Sequence, residues 1–173
     1  SAADPPPNWT LVQPAYPTMD TVVAAYNVQN FGATGDGVTD VTSIFQDLLD
    51  ALGRLGGGTL FVPSGRYVIR GNLVIPKGVT LRGEWKKPVK GQPIEGTILM
   101  AYAGRGNENA AAFLTLETSS AVMDLAIWYP EQLPGNITPY PPAILFGKPN
   151  YWGNDYPNAK NITLVNAYSG VIL

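Results

Sequence analysis

The chain has 173 residues, 45% of them hydrophobic, enough apolar material to fill the core of one domain. A formal net charge of −2, with only 14% charged residues and no basic cluster larger than Lys86-Lys87 with Lys90, excludes a nucleic-acid partner, because nothing here balances a phosphate backbone. The absence of Cys and His excludes disulfides, thiolate metal sites, a Cys nucleophile and the commonest general base, so chemistry must come from carboxylates, Lys, Arg or Tyr, and no metal or cofactor is expected.

The 19 Gly and 16 Pro favour a β architecture rich in turns over long helices. No apolar run approaches the roughly 18 residues of a membrane span. The opening Ser1-Ala-Ala-Asp-Pro-Pro-Pro7 lacks the charged and apolar regions of a signal peptide and is expected to be a processed start of a secreted or cell-surface protein. Residues 1–25, with Pro5-Pro6-Pro7, Pro14 and Pro17, read as an extended leader on the domain surface or as a disordered tail.

Residues 26–58 read as a strand, a turn carrying Gly32, Gly35 and Gly37, and a helix with Asp40 as its N-cap. Ile44, Phe45, Leu48, Leu49, Leu52 and Leu55 recur at helical spacing, opposite Gln46, Asp47, Asp50 and Arg54, and Gly56-Gly57-Gly58 ends the helix. A single apolar stripe must cover something larger than a partner helix, and the simplest target is the open end of a sheet stack.

Short β runs follow over residues 59–173: 59–62, 67–70, 73–75, 79–82, 97–100, 112–116, 121–128, 143–146, 161–165 and 171–173. Ser120 to Ile127 and Lys160 to Ala167 align without gaps as two passes of one alternating pattern, with a weaker third pass at Lys77 to Arg82. Such repeats favour strands stacked as successive coils, with the stretches 84–96, 104–109 and 129–156 looping out.

The segments Asn30-Phe-Gly-Ala-Thr-Gly-Asp-Gly-Val-Thr-Asp-Val-Thr-Ser-Ile-Phe-Gln46, Gly56-Gly-Gly-Thr-Leu-Phe-Val-Pro-Ser-Gly-Arg-Tyr67 and Val79-Thr-Leu-Arg-Gly83 resemble the opening of the pectate-lyase-3 and polygalacturonase-like superfamily. The resemblance implies an all-β fold, a single-stranded right-handed parallel β-helix of the pectin-lyase-like type with an N-terminal amphipathic capping helix. Members include glycoside hydrolases, polysaccharide lyases, epimerases and phage tail-spikes, so the motif marks fold more than function. The Asn-Thr-Asp, Asp-Asp, His-Gly and Arg-x-Lys motifs of polygalacturonases are absent from this sequence, so catalytic residues stay unassigned. Tyr168-Ser-Gly-Val-Ile-Leu173 ends without a polar cap, and the remainder of the β-helix C-terminal to Leu173, or another chain, is the expected partner.

For binding, flat rings set among polar groups suit sugars, whose C–H faces are apolar and whose hydroxyls need hydrogen bonds. Trp128, Tyr129, Glu131, Gln132, Tyr151 and Trp152 are therefore the candidate polysaccharide-binding residues, with Tyr129-Pro130-Glu131-Gln132 the first choice because it leaves a strand directly. The same rings, with Tyr140 and Tyr156, can instead pack long loops onto the coils. Of the acids near this region, Asp124, Glu131 and Asp155, Asp124 reads most simply as an outward strand residue. Asp36 and Asp40 read as a turn former and a helix cap, or as a cation pair. Gly35-x-Gly37-x-x-Asp40 lacks the third Gly and the βαβ setting of a nucleotide site. Asn8, Asn136 and Asn161 open formal glycosylation sequons. The resemblance thus implies the N-terminal part of a secreted carbohydrate-active protein, a glycoside hydrolase or polysaccharide lyase, or alternatively a non-catalytic glycan-binding adhesin or phage tail-spike-like protein.

Overall fold

The computed structural model describes residues 10–12, 22–147 and 157–173. It is all-β apart from one α-helix and one short 3-10 turn. The strands are β1 (Thr10–Val12), β2 (Val22–Ala24), β3 (Tyr26–Asn27), β4 (Asp36–Asp40), β5 (Gly58–Phe61), β6 (Gly65–Ile69) and β7 (Leu73–Ile75). They continue with β8 (Val79–Arg82), β9 (Thr97–Ala101), β10 (Leu114–Leu116), β11 (Ala121–Trp128), β12 (Pro142–Phe146), β13 (Asn158–Val165) and β14 (Ser169–Ile172), and α1 spans Thr42–Arg54.

Apart from the antiparallel pair β1 and β2, every named strand pairing among the described residues is parallel. Successive passes of the chain lay strands into three stacks. Stack A runs β3, β5, β8, first half of β11, first half of β13. Stack B runs β4, β6, β9, second half of β11, second half of β13. Stack C runs β7, β10, β12, β14. The inward side chains of all three, among them Leu60, Leu81, Val122, Tyr67, Leu99, Ile127, Leu73, Leu114 and Ile144, form one continuous core.

Helix α1 takes the place of a strand at the head of stack C, packing on β5, β7 and β8. Phe45, Leu48, Leu49, Ala51 and Leu52 are its buried residues, and Phe45 meets the Tyr67 ring at 5.6 Å. Opposite the core, Gln46 continues the β ladder: Val74 N donates to its Oε1 at 2.9 Å and its Nε2 donates to Val74 O at 3.1 Å. A side-chain amide thus satisfies a backbone edge that would otherwise be unpaired. Two expectations shift by one turn or less. The N-cap position is Val41 rather than Asp40, whose Oδ1 instead accepts from Thr42 N and Oγ1. Leu55, counted in the stripe, lies past the last helical turn and is 49% exposed. Gly56, Gly57 and Gly58 all take positive φ, a turn only glycine makes cheaply.

The gapless repeat is three residues out of register. It sets Val122 against Ile162, whereas the structure pairs Leu125 with Ile162. The cause is a corner inside each strand: Asp124 and Asn161 have φ of 59° and 51°, so alternation breaks and Val122 and Leu125 both point inward. Asn161 Nδ2 donates to Asp124 Oδ1 at 2.8 Å, and Arg82 Nε lies 3.3 Å from Asp124 Oδ2. Asp124 is therefore tied into the corner between stacks A and B. At the same corner Thr97 Oγ1 donates to Val62 O and accepts from Glu84 N, while Glu84 Oε2 accepts from Ser64 N and Oγ.

Candidate functional site

Long connections leave the coils at the edge between stacks B and C, where residues 102–113 and 129–141 stand side by side. Their roots are buried. Tyr129 and Tyr140 are both fully inside, with ring centroids 4.9 Å apart and edge to face, and Phe113 lies 6.3 Å from Tyr129. Burial pushes both phenols above their ordinary range, so they stay neutral. The next layer is hydrogen-bonded: Gln132 Nε2 donates to Thr138 O and Thr138 N donates to Gln132 Oε1, both at 2.8 Å, closing the 132–138 loop on itself. Gly106 N donates to Pro139 O, which ties the first connection to the second.

On this base the connections present a charged rim. Arg105 Nε lies 3.4 Å from Glu131 Oε2, with both side chains about half exposed. Tyr168 Oη, from the corner before β14, donates to Glu108 Oε2 at 3.0 Å, and Asn166 Nδ2 donates to Gln132 O at 3.3 Å. Between the 132–137 loop and residues 166–168 lies an open cavity of about 370 Å3, where Leu133, Pro134, Ile137 and Tyr168 supply apolar surface and Asn166 a polar edge. Such a mixture suits a sugar ring.

The four candidate binding residues that lie among the described residues do not share one surface. Glu131 reaches the rim. Gln132 lies beneath it, 7% exposed, with its amide used to hold its own loop. Tyr129 is fully buried, so both ring faces are covered and its role is loop packing, the other role open to these aromatics; the cause is inward alternation, which carries Leu125, Ile127 and Tyr129 into the core together. Trp128 points outward from stack B, with the Arg66 guanidinium 5.6 Å from its ring centroid. Tyr151 and Trp152 lie outside the described residues, as do Tyr156, Asp155 and Asn8. Sequence reasoning missed Arg105, Glu108 and Tyr168. Their only signal was a Gly-flanked polar stretch at 104–109, and their meeting depends on pairing across coils far apart in sequence.

The acids at the head of stack B hold the turn. Asp36 accepts from Val38 N, Thr39 N, Thr39 Oγ1 and Thr34 Oγ1; the Thr39 hydroxyl foremost, then these amides, hold its carboxyl well below the usual range. Burial opposes ionisation of Asp40, but the Thr42 hydroxyl and amide and the neighbouring Arg70 outweigh it and leave its pKa lowered. Among the described residues no group of three or more acids is placed to hold a metal ion, and no helix is long and apolar enough to cross a membrane.

The chain is 32% identical over 126 residues to the mannuronan C5-epimerase AlgE1 of Azotobacter vinelandii, covering 64% of this chain and 9% of that protein. It is 39% identical over 67 residues to the tail spike protein of Shigella phage Sf6, covering 36% of this chain and 11% of that one. Among solved structures it resembles the A-module of the Azotobacter vinelandii mannuronan C-5 epimerase AlgE4, with a TM-score of 0.61, 21% identity, and coverage of 84% of this chain and 40% of that one. The chain therefore spans well under half the length of these relatives. A family model described as rhamnogalacturonase A/epimerase, pectate lyase-like matches residues 25–121. More than half of the chain falls within that match, and the protein belongs to the rhamnogalacturonase A/epimerase, pectate lyase-like family.

Proposed function

We propose that this chain is part of a polysaccharide-acting protein that holds a glycan along the edge between stacks B and C. The observation that carries the reading is the pair of neighbouring connections, 102–113 and 129–141, rooted on buried Tyr129 and Tyr140 and presenting Arg105, Glu131, Glu108 and Tyr168 beside an open cavity. A rigid base under a polar and aromatic rim positions hydroxyl-binding groups with little ordering cost. The AlgE1 relative, by name a mannuronan C5-epimerase, fits the same substrate class.

In this reading the coils wind right-handed, as nearly all parallel crossovers do, residues 26–58 form the terminal unit, and α1 caps the stack. The strands from β5 onward are then its first coils, and further coils of the complete protein extend the stack. The residues that break or remake sugar bonds belong to those further coils. A polymer too large to enter cells favours a location outside the cell or on its surface.

Incubating the complete protein with a panel of acidic and neutral polysaccharides tests this. Reducing-end release without an unsaturated product indicates a hydrolase, reducing-end release with an unsaturated product a lyase, and a changed uronate ratio by NMR with no change in chain length an epimerase. Binding without turnover, together with a trimer by light scattering, would favour the second reading, a spike-like adhesin, which the tail spike relative supports. Neither binding nor turnover across the panel refutes both.

A further inference from the structure

A second surface lies on the outer face of stack B, away from the rim. Val68, Ile98, Met100 and Ala126 form an apolar cluster outside the main core, with Tyr102, Trp128 and Ile94 packed against it. Two arginines of one strand segment roof this cluster. Arg66 lies 5.6 Å from the Trp128 centroid and Arg70 4.8 Å from that of Tyr102, so each cation stacks on a ring contributed by another coil.

Both arginines are exposed. Among the described residues neither guanidinium forms an ion pair. The nearest acids along the stack, Asp36 and Asp40, accept from Thr34, Thr39, Thr42 and local amides, and Asp40 also receives the Arg70 backbone N–H and feels the Arg70 charge. Arg66 and Arg70 carry their charges on one exposed sheet face beside the ionised Asp36 and Asp40, so a ligand there is selected by the guanidinium forks and the rings beneath them rather than by net charge. The 84–96 connection borders the same face, since Trp85 Nε1 donates to Thr163 Oγ1 and Ile94 joins the cluster, and it carries Lys87 and Lys90, while its Lys86 is paired with Glu95. A guanidinium held over a ring keeps N–H donors free for a ligand, and its fork can receive a carboxylate in bidentate fashion. Four residues along a strand separate the two forks by about 13 Å, enough to hold two different carboxylates of one polymer.

We propose that Arg66 and Arg70, on their Trp128 and Tyr102 platforms, form a binding site for a carboxylated polysaccharide, distinct from the edge between stacks B and C. The site rests on the polysaccharide reading above and adds to it a second hold on an anionic chain. Affinity electrophoresis of the full chain through gels containing polygalacturonate or a neutral β-glucan tests it, with circular dichroism confirming that each variant folds. The native chain is expected to be retarded by polygalacturonate. The Arg66→Gln, Arg70→Gln double variant should weaken that retardation at least about tenfold, the effect of losing about 1.4 kcal/mol. The Arg66→Lys, Arg70→Lys pair should recover part of it, because charge returns without the fork. Equal retardation of native chain and double Gln variant, or retardation of the native chain by the neutral glucan alone, overturns this site while leaving the polysaccharide reading intact. No retardation on any polymer overturns both.

Discussion

Replacing Leu52 and Leu55 separately with Ala isolates what α1 does for the stack. The two residues are chemically identical and belong to the same apolar series, yet Leu52 is fully buried on the core side while Leu55 is 49% exposed. Leu52→Ala removes buried methyl groups between the helix and the strands it covers, and the surrounding coils, already paired along their backbones, have little freedom to collapse into the gap. The expected cost is about 2 to 5 kcal/mol. Leu55→Ala removes side-chain atoms already half in water, and its cost should stay within about 0.5 kcal/mol. With a urea slope near 2 kcal/mol per M, the first shifts the unfolding midpoint down by about 1 to 2.5 M and the second by about 0.25 M or less. Circular dichroism against urea measures both, provided the slopes match. Equal shifts for the two variants would refute the burial argument and the placement of α1.

Gly83 lies at the corner between stacks A and B, where an added Cβ would fall 2.6 Å from Thr97 Cβ and 2.8 Å from Asp124 O. Gly83→Ala must push two coils apart, and a loss of about 1 to 3 kcal/mol is expected in the same urea assay; an unchanged midpoint would contradict the close approach. Asp36 has a lowered pKa in the fold against an ordinary value of 3.8, so its stabilisation is complete above that value and declines as pH falls toward the folded pKa. The stability gap between native chain and Asp36→Asn should therefore be constant at neutral pH and close in acid; a gap that widened in acid would reverse the sign. Burial, first of all, raises the Tyr67 hydroxyl to about 12, while it donates to Pro63 O at 2.9 Å. Its contribution is complete below the ordinary value of 10.0 and is lost as pH rises toward 12. Phenolate absorbance of native chain minus Tyr67→Phe should show one late-titrating group, and a difference spectrum titrating near 10 would remove the cause.

Much of the fold was legible along the chain because its causes are local. The 3.6-residue recurrence from Ile44 to Leu52 and the three glycines after Leu55 specify a helix and its end without reference to anything distant. Runs such as 73–75, 79–82 and 121–128 stand out as short apolar segments bounded by turn residues, and the observed strands keep these bounds. Composition alone removed Cys, His and their chemistry. Register was not legible, because alternation is blind to a corner: Asp124 reads as an ordinary outward strand position and Asn161 as the start of a strand, and only the stacked coils show both in the left-handed region, joined by a hydrogen bond.

The candidate site divides along the same line. That aromatic and acidic residues gather after Trp128 could be read directly, but which of them meet solvent depends on where the strand leaves the coil, and this sends Tyr129 inward and Trp128 outward. Arg66 and Arg70 carried no signal at all, since their ring partners lie in other coils. Helix, turns and strand segments follow from neighbours in the chain. Register, the rim and the arginine face follow from parallel stacking, which brings together residues separated by whole coils, and no local pattern encodes that distance.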